Sequence, residues 1–302
     1  MLLGKLLPLY AFIGLGFLAA KMLNARKETL SSILIYILAP IVVFDGVLRT
    51  DISWSILSLP LIMLAMCTLL CTLFFAIGSL LWSDSHRNIL AFTAGTGNTG
   101  YFGLPVALAV FGPDRLGPVV LALLGFILYE NTVGFFTVAR GHHTAAESFG
   151  KILRLPTLYA LVIALILNVS DANFGTLYLD NVQHVRGAYT VFGMMIIGMG
   201  IGSLQHIRLD LRFIGLAFLA KFVAWPALAL GLIAIDRTWF GFYTDELYGV
   251  MLLMSIVPLA ANTVAYATEL KTEPEKAATA VLLSTLFALL FIPFVASVST
   301  LL

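Results

Sequence analysis

Ten runs of about 20 apolar residues, separated by short polar stretches, recur along the 302-residue chain. A helix needs roughly 20 residues to cross a hydrocarbon core of ~30 Å, so each run is long enough to span a bilayer. They lie approximately at Leu3–Met22, Leu30–Leu48, Ile56–Trp82, Ile89–Gly112, Leu116–Ala139, Leu153–Val169, Ala188–Leu204, Phe213–Ile235, Leu247–Thr268 and Ala277–Leu301, numbered here as spans 1 to 10. At 60% hydrophobic and 11% charged residues, with a mean hydropathy of +1.00, the chain carries more apolar surface than a soluble core can hide. Lipid offers backbone groups no hydrogen-bond partner, so the spans must be helices and the chain an all-α polytopic membrane protein.

Two of the spans contain residues that a membrane helix normally avoids. Span 4, NILAFTAGTGNTGYFGLPVALAVFG, carries Gly95, Thr96, Gly97, Asn98, Thr99, Gly100, Gly103 and Pro105. Span 9, LYGVMLLMSIVPLAANTVAYATEL, carries Ser255, Pro258, Asn262 and Thr263 about 150 residues later. Each proline lacks an N–H and crowds the carbonyl four residues back, Tyr101 for Pro105 and Met254 for Pro258, so about a turn of helix loses its regular bonding. A half-helix that begins at such a break presents N–H groups with partial positive charge, suited to a carboxylate. A pair of interrupted spans in corresponding places points to a transporter with its site where the breaks meet. The expected contacts are Asn98, Thr96, Thr99, Gly100, Pro105, Pro258, Asn262 and Thr263, with Asn98 principal among them and Asn262 serving either substrate or the backbone broken by Pro258.

Loop charge supplies the topology. The loops after spans 1, 3, 5, 7 and 9 hold eleven Lys and Arg residues, against five on the opposite side, which includes both termini. The positive-inside rule then puts both termini outside the cytoplasm of a plasma or bacterial inner membrane. Span 1 is longer than the h-region of a signal peptide and is expected to be retained. The longest cytoplasmic interruption divides the chain into residues 1–140 with five spans, a linker at 141–154, and residues 155–302 with five more. Five spans per half force opposite orientations, hence a 5+5 inverted repeat, echoed faintly by LPLYAFIGL at Leu7 and LPTLYALVI at Leu155.

Inside the membrane, Glu130 lies ten residues from Arg140 and Lys221 nine from Arg212, roughly 15 and 14 Å deep at about 1.5 Å per residue. An isolated charge in hydrocarbon is costly, so the two are expected to pair, or Glu130 to be protonated while Lys221 pairs elsewhere. Glu130 with Asn131 also suits proton or cation coupling, whereas Lys221 is able to snorkel outward. Asp45 is expected at the interface. Cys67 and Cys71 read as packing residues, and His142 and His143 as loop residues without a third metal ligand. No basic cluster suggests nucleic acid, and no serine–histidine, paired-aspartate or metal-ligand constellation suggests an enzyme.

The motifs NTGYFGLPVALAVFG and VPLAANTVAYATEL resemble the auxin efflux carrier family, which includes bacterial permeases for small carboxylates and the plant auxin carriers. Asn98 precedes Pro105 by seven, as does the crossover asparagine of the plant carriers; Lys221 with Pro226, LAPIVVFDGVL and the acidic stretch Glu269 to Glu275 are weaker matches. The resemblance implies ten helices of the NhaA-like type, with spans 4 and 9 crossing at their prolines. It further implies a scaffold of spans 1, 2, 6 and 7, a moving transport domain of spans 3–5 and 8–10, and a homodimer. Span 6 opens with Leu155-Pro156 instead of Asn-Pro, and span 7 lacks the usual proline. The expected function is alternating-access transport of a small organic anion without a cofactor, coupling to protons or sodium being left open. The alternatives are a cation/proton antiporter or sodium symporter using Glu130, and a membrane-embedded sensor.

Overall fold

The computed structural model describes residues 2–139, 156–170, 174–203, 208–269 and 274–302. The linker at 141–154, with His142, His143, Lys151 and Arg154, and also Arg140 and Lys271, lies outside the described residues. Every regular element among them is helical. In chain order these are α1 Leu2–Met22, α2 Lys27–Leu48, α3 Trp54–Leu81, α4 His86–Gly95, α5 Leu104–Phe111, α6 Pro113–Val138 and α7 Pro156–Val169. Then come α8 Gly175–Gly202, α9 Leu211–Phe240, α10 Asp245–Ile256, α11 Asn262–Glu269 and α12 Pro274–Val298. Seven of them, α1, α2, α3, α6, α8, α9 and α12, are long and apolar enough to cross a membrane, and α7 is a shorter apolar helix of 14 residues. Neither interrupted span is a single helix: α4 with α5, and α10 with α11, each flank an irregular segment.

The chain forms two compact units. The first takes in Met1–Ser53, Gly100–Val120 and Leu153–Leu204, the second Trp54–Thr99, Leu121–Ile152 and Gln205–Leu302. The boundary in span 4 therefore falls between Thr99 and Gly100.

Within the first unit, α1 lies along α8 at backbone contact distance. A Cβ added to Gly16 would sit 2.1 Å from the Met195 carbonyl oxygen, and one on Gly198 would sit 1.9 Å from that of Ile13. Gly198 and Gly202 of GMMIIGMGIGSL, with Gly16 opposite, thus remove side chains so that two membrane helices can meet, the role small residues take where lipid gives helices no hydrophobic reason to associate. Asp45, expected at the interface, is 1% exposed and bridges Arg49 and Arg186, each at 2.7 Å. Two guanidinium groups offset the desolvation of one carboxylate. The Asn168 amide donates to the Leu48 and Thr50 carbonyls at 2.9 and 2.8 Å, closing the C-terminal end of α2.

Within the second unit, Cys67 and Cys71 are buried in α3, and Asp236 accepts from Phe242 N–H, Tyr243 N–H and the Tyr248 hydroxyl, so the turn after α9 is closed by one carboxylate. Asp210 caps α9 by accepting from the N–H groups of Arg212 and Phe213, both at 3.1 Å, and pairs with Lys276 at 3.2 Å. Burial pushes its carboxyl up, but those hydrogen bonds and the ammonium outweigh burial and hold it below the usual carboxylate range. A carboxyl lowered on folding stabilises above its unfolded pKa and loses that contribution as pH falls through the folded value. Asp210→Ala is expected to cost about 1 kcal/mol at pH 7. Thermal midpoints of the two proteins should converge below about pH 4.

Candidate functional site

The irregular segment of span 4 is Thr96–Asn98, and a widened turn, Thr99–Gly103, follows it before α5 begins. Pro105 therefore does not sit in the break. It occupies the first turn of α5, where its fixed φ is accommodated, and the glycine-rich stretch ahead of it is where the chain leaves the helix. Span 9 differs in that Pro258 lies inside its break, after Val257 has turned extended at φ −63°, ψ 153°.

The two breaks are joined by backbone. Asn98 N–H donates to the Pro258 carbonyl at 2.8 Å. The Leu259 N–H beyond it reaches the Ser284 hydroxyl of α12 at 3.1 Å. Asn98 itself is 7% exposed, and among the described residues no hydrogen bond reaches its side-chain amide. A buried amide carries two donors and an acceptor, so it stands ready for a guest.

Glu130 opens a widened turn of α6, Glu130–Gly134, and gathers one residue from each break. Its Oε1 accepts from the Thr96 hydroxyl, and its Oε2 accepts from the Asn262 amide at 2.6 Å. The Asn262 side chain is thus committed to Glu130 and does not repair the backbone at Pro258, which Ser284 and Asn98 serve instead.

Lys221 does not pair with Glu130. Its ammonium lies fully buried 4.7 Å from the Trp225 ring centroid and 5.8 Å from that of Phe126, without a hydrogen-bond partner among the described residues. A Cβ on Gly97 would meet it at 2.5 Å, so the ammonium abuts the span 4 break. The aromatic faces take the place of a carboxylate, and the chain is spared an ion pair that would tie α6 to α9.

The remaining expected residues divide. Thr99 and Thr263 are buried beside the breaks, with the Thr263 hydroxyl unpartnered. Asn131 is turned away: its amide donates to the Ile127 carbonyl of its own helix at 2.9 Å. Gly100 and Pro105 belong to the first unit, and all the others named above to the second.

Three aromatic residues that motif reading passes over support the break. Helix α4 ends inside apolar surroundings, where its last carbonyls have no water to turn to. The Tyr129 hydroxyl donates to the Phe92 carbonyl at 3.2 Å, and the Trp225 indole N–H to that of Ala94 at 2.7 Å. The Tyr266 hydroxyl approaches the Glu130 carbonyl at 3.5 Å. Buried Tyr and Trp require polar partners, which is the one signal in the sequence that marks them.

Chemically, the cluster offers one carboxylate held by two neutral donors, an unpartnered amide, an unpartnered ammonium, and half-helix ends of both polarities: the N-terminal end of α11 and the C-terminal ends of α4 and α10. Residues 1–152 match the model of a family described as membrane transport protein, and residues 189–301 that of the sodium bile acid symporter family. An uncharacterized transporter of Methanocaldococcus jannaschii is 24% identical over 276 residues, covering 88% of this chain and 88% of that protein. A Rhizobium meliloti protein provisionally named a malonate transporter is 30% identical over 168 residues, 53% of this chain and 50% of its own length.

Proposed function

The chain belongs to the membrane transport protein family of auxin efflux carriers, and from that premise we propose that it carries a small carboxylate across the membrane by alternating access. The substrate binds where the breaks of spans 4 and 9 meet. The observation that carries this reading is Asn98, a buried residue at that junction whose side-chain amide meets no hydrogen-bond partner among the described residues while its own N–H ties the two breaks together. An amide donor, beside a half-helix N-terminus, recognises carboxylate oxygens without demanding a permanent counter-charge. On this reading the four short helices complete spans 4 and 9 of a 5+5 inverted repeat, with both termini outside the cytoplasm. Spans 1, 2, 6 and 7 act as the scaffold of a homodimer, and spans 3–5 and 8–10 move in elevator fashion.

Malonate is the natural first probe, given the name of the Rhizobium meliloti relative. Asn98→Ala is expected to weaken malonate binding at least ~10-fold, the value of one or two hydrogen bonds to a charged group, while the purified protein keeps its thermal midpoint. Binding and proteoliposome uptake at wild-type levels would overturn the assignment.

A second reading is supported by Glu130 and by the symporter match over residues 189–301. A carboxylate beside a carboxylate substrate repels it unless it carries a proton or a cation. Transport would then be coupled, with Glu130 as the carrier of the coupling ion and the anion following. Sodium- or pH-gradient dependence of malonate uptake separates this from uncoupled passage.

A further inference from the structure

We propose that Tyr189 and Gly193 of α8 form a seat that holds the widened turn Thr99–Gly103 in the transport state seen here, with the Tyr189 hydroxyl standing in for the N–H that Pro105 lacks. Both belong to the same unit as Gly100 and Pro105. In the five-residue register of a widened turn, the carbonyl of Gly100 would accept from residue 105, which is proline. The Tyr189 hydroxyl donates to that carbonyl instead, at 3.1 Å, from a side chain 2% exposed. Gly100 is half-buried, so without the hydroxyl its carbonyl would lose a fixed side-chain donor that only transient water could replace.

Gly193 lies one turn further along the same face of α8. A Cβ there would meet the Tyr101 carbonyl oxygen at 2.9 Å and Pro105 Cγ at 3.2 Å. One residue therefore donates to the turn and the next leaves room for it. Asn98 stands two residues before Gly100 in the chain, so by chain connectivity alone Tyr189 is a positioning residue for Asn98 through the turn that it holds. The link to transport rests on the carboxylate-carrier reading; the seat itself does not.

Hydrogen exchange of the Phe102, Gly103 and Leu104 amides, measured on the detergent-solubilised full chain, tests the seat without any substrate. Tyr189→Phe is expected to speed their exchange about tenfold, the upper end of what one hydrogen bond contributes. In a Pro105→Ala background the same change is expected to have less than a twofold effect, because the alanine N–H now serves Gly100. Gly193→Ala should speed exchange in both backgrounds, since it acts by crowding. Equal acceleration by Tyr189→Phe in both backgrounds, or none in either, overturns the seat. In proteoliposomes, Tyr189→Phe should raise the malonate KM about fivefold and leave the maximal rate within twofold; faster exchange with an unchanged KM overturns the positioning of Asn98. If the wild-type chain carries no malonate, the carrier reading fails, and the exchange cycle still decides the seat.

Discussion

Gly198→Ala is expected to lower the thermal midpoint of the detergent-solubilised chain by roughly 5–10 °C. The new Cβ would sit 1.9 Å from the Ile13 carbonyl oxygen and 2.7 Å from the Phe17 N–H nitrogen, both backbone atoms that no rotamer change can move aside. Relief requires α1 and α8 to separate along much of their length, which opens the contacts at Gly16 and Gly202 as well. Overpacking of this kind costs about 1–3 kcal/mol, and the coupling of neighbouring glycines on one seam puts the cost at the upper end. Gly14→Ala is the control, because a Cβ there meets nothing within 4 Å. Equal midpoints for the two variants would show that α1 and α8 do not pack at this distance in the membrane protein.

The contrast between Gly14 and Gly16 shows where a reading of residues alone reaches its limit. Both are glycines in an apolar helix, and only the position of a second helix, 180 residues away in the chain, makes one of them indispensable. Hydrophobic length was a strong guide for the seven long helices because the bilayer imposes it locally. The break at Pro258 was legible for the same reason, since a proline acts on its own helix. In span 4 the proline rule reaches only the widened turn Thr99–Gly103 just before Pro105; Thr96–Asn98 leave the helix further back, under tertiary ties from Pro258 and Glu130. Depth along the helix suggested that Glu130 faces Lys221, but depth says nothing about azimuth, and the two side chains turn to different partners. Tyr189 carried no signal at all: its role depends on a carbonyl in another helix whose partner is missing.

Glu130→Ala is expected to reduce malonate uptake at least ~100-fold while folded protein persists in the membrane. The carboxylate accepts from Thr96 and Asn262, one residue from each break, and charge-assisted hydrogen bonds of this kind contribute about 1.5–3 kcal/mol apiece. Removing the acceptor frees both donors, so the two breaks lose their common anchor at the place where substrate is proposed to bind. Glu130→Gln separates anchoring from charge. Glutamine keeps one oxygen for Asn262 or Thr96 and should retain malonate binding within about tenfold, the worth of the one charge-assisted bond it loses. Glutamine takes up no proton, and its neutral amide oxygen holds sodium far more weakly than a carboxylate, so its uptake should largely lose its response to an imposed pH or sodium gradient, while exchange of internal for external malonate continues. Gradient-driven accumulation by the glutamine variant at the wild-type level would remove Glu130 from any coupling role. Because Lys221 stacks on Trp225 and Phe126 and makes no ion pair with Glu130, the double variant Glu130→Lys, Lys221→Glu is expected to be as inactive as its single parents. Recovery in that swap would mean that the two charges meet in another state of the transport cycle, and would restore the ion pair that their matched depths suggest.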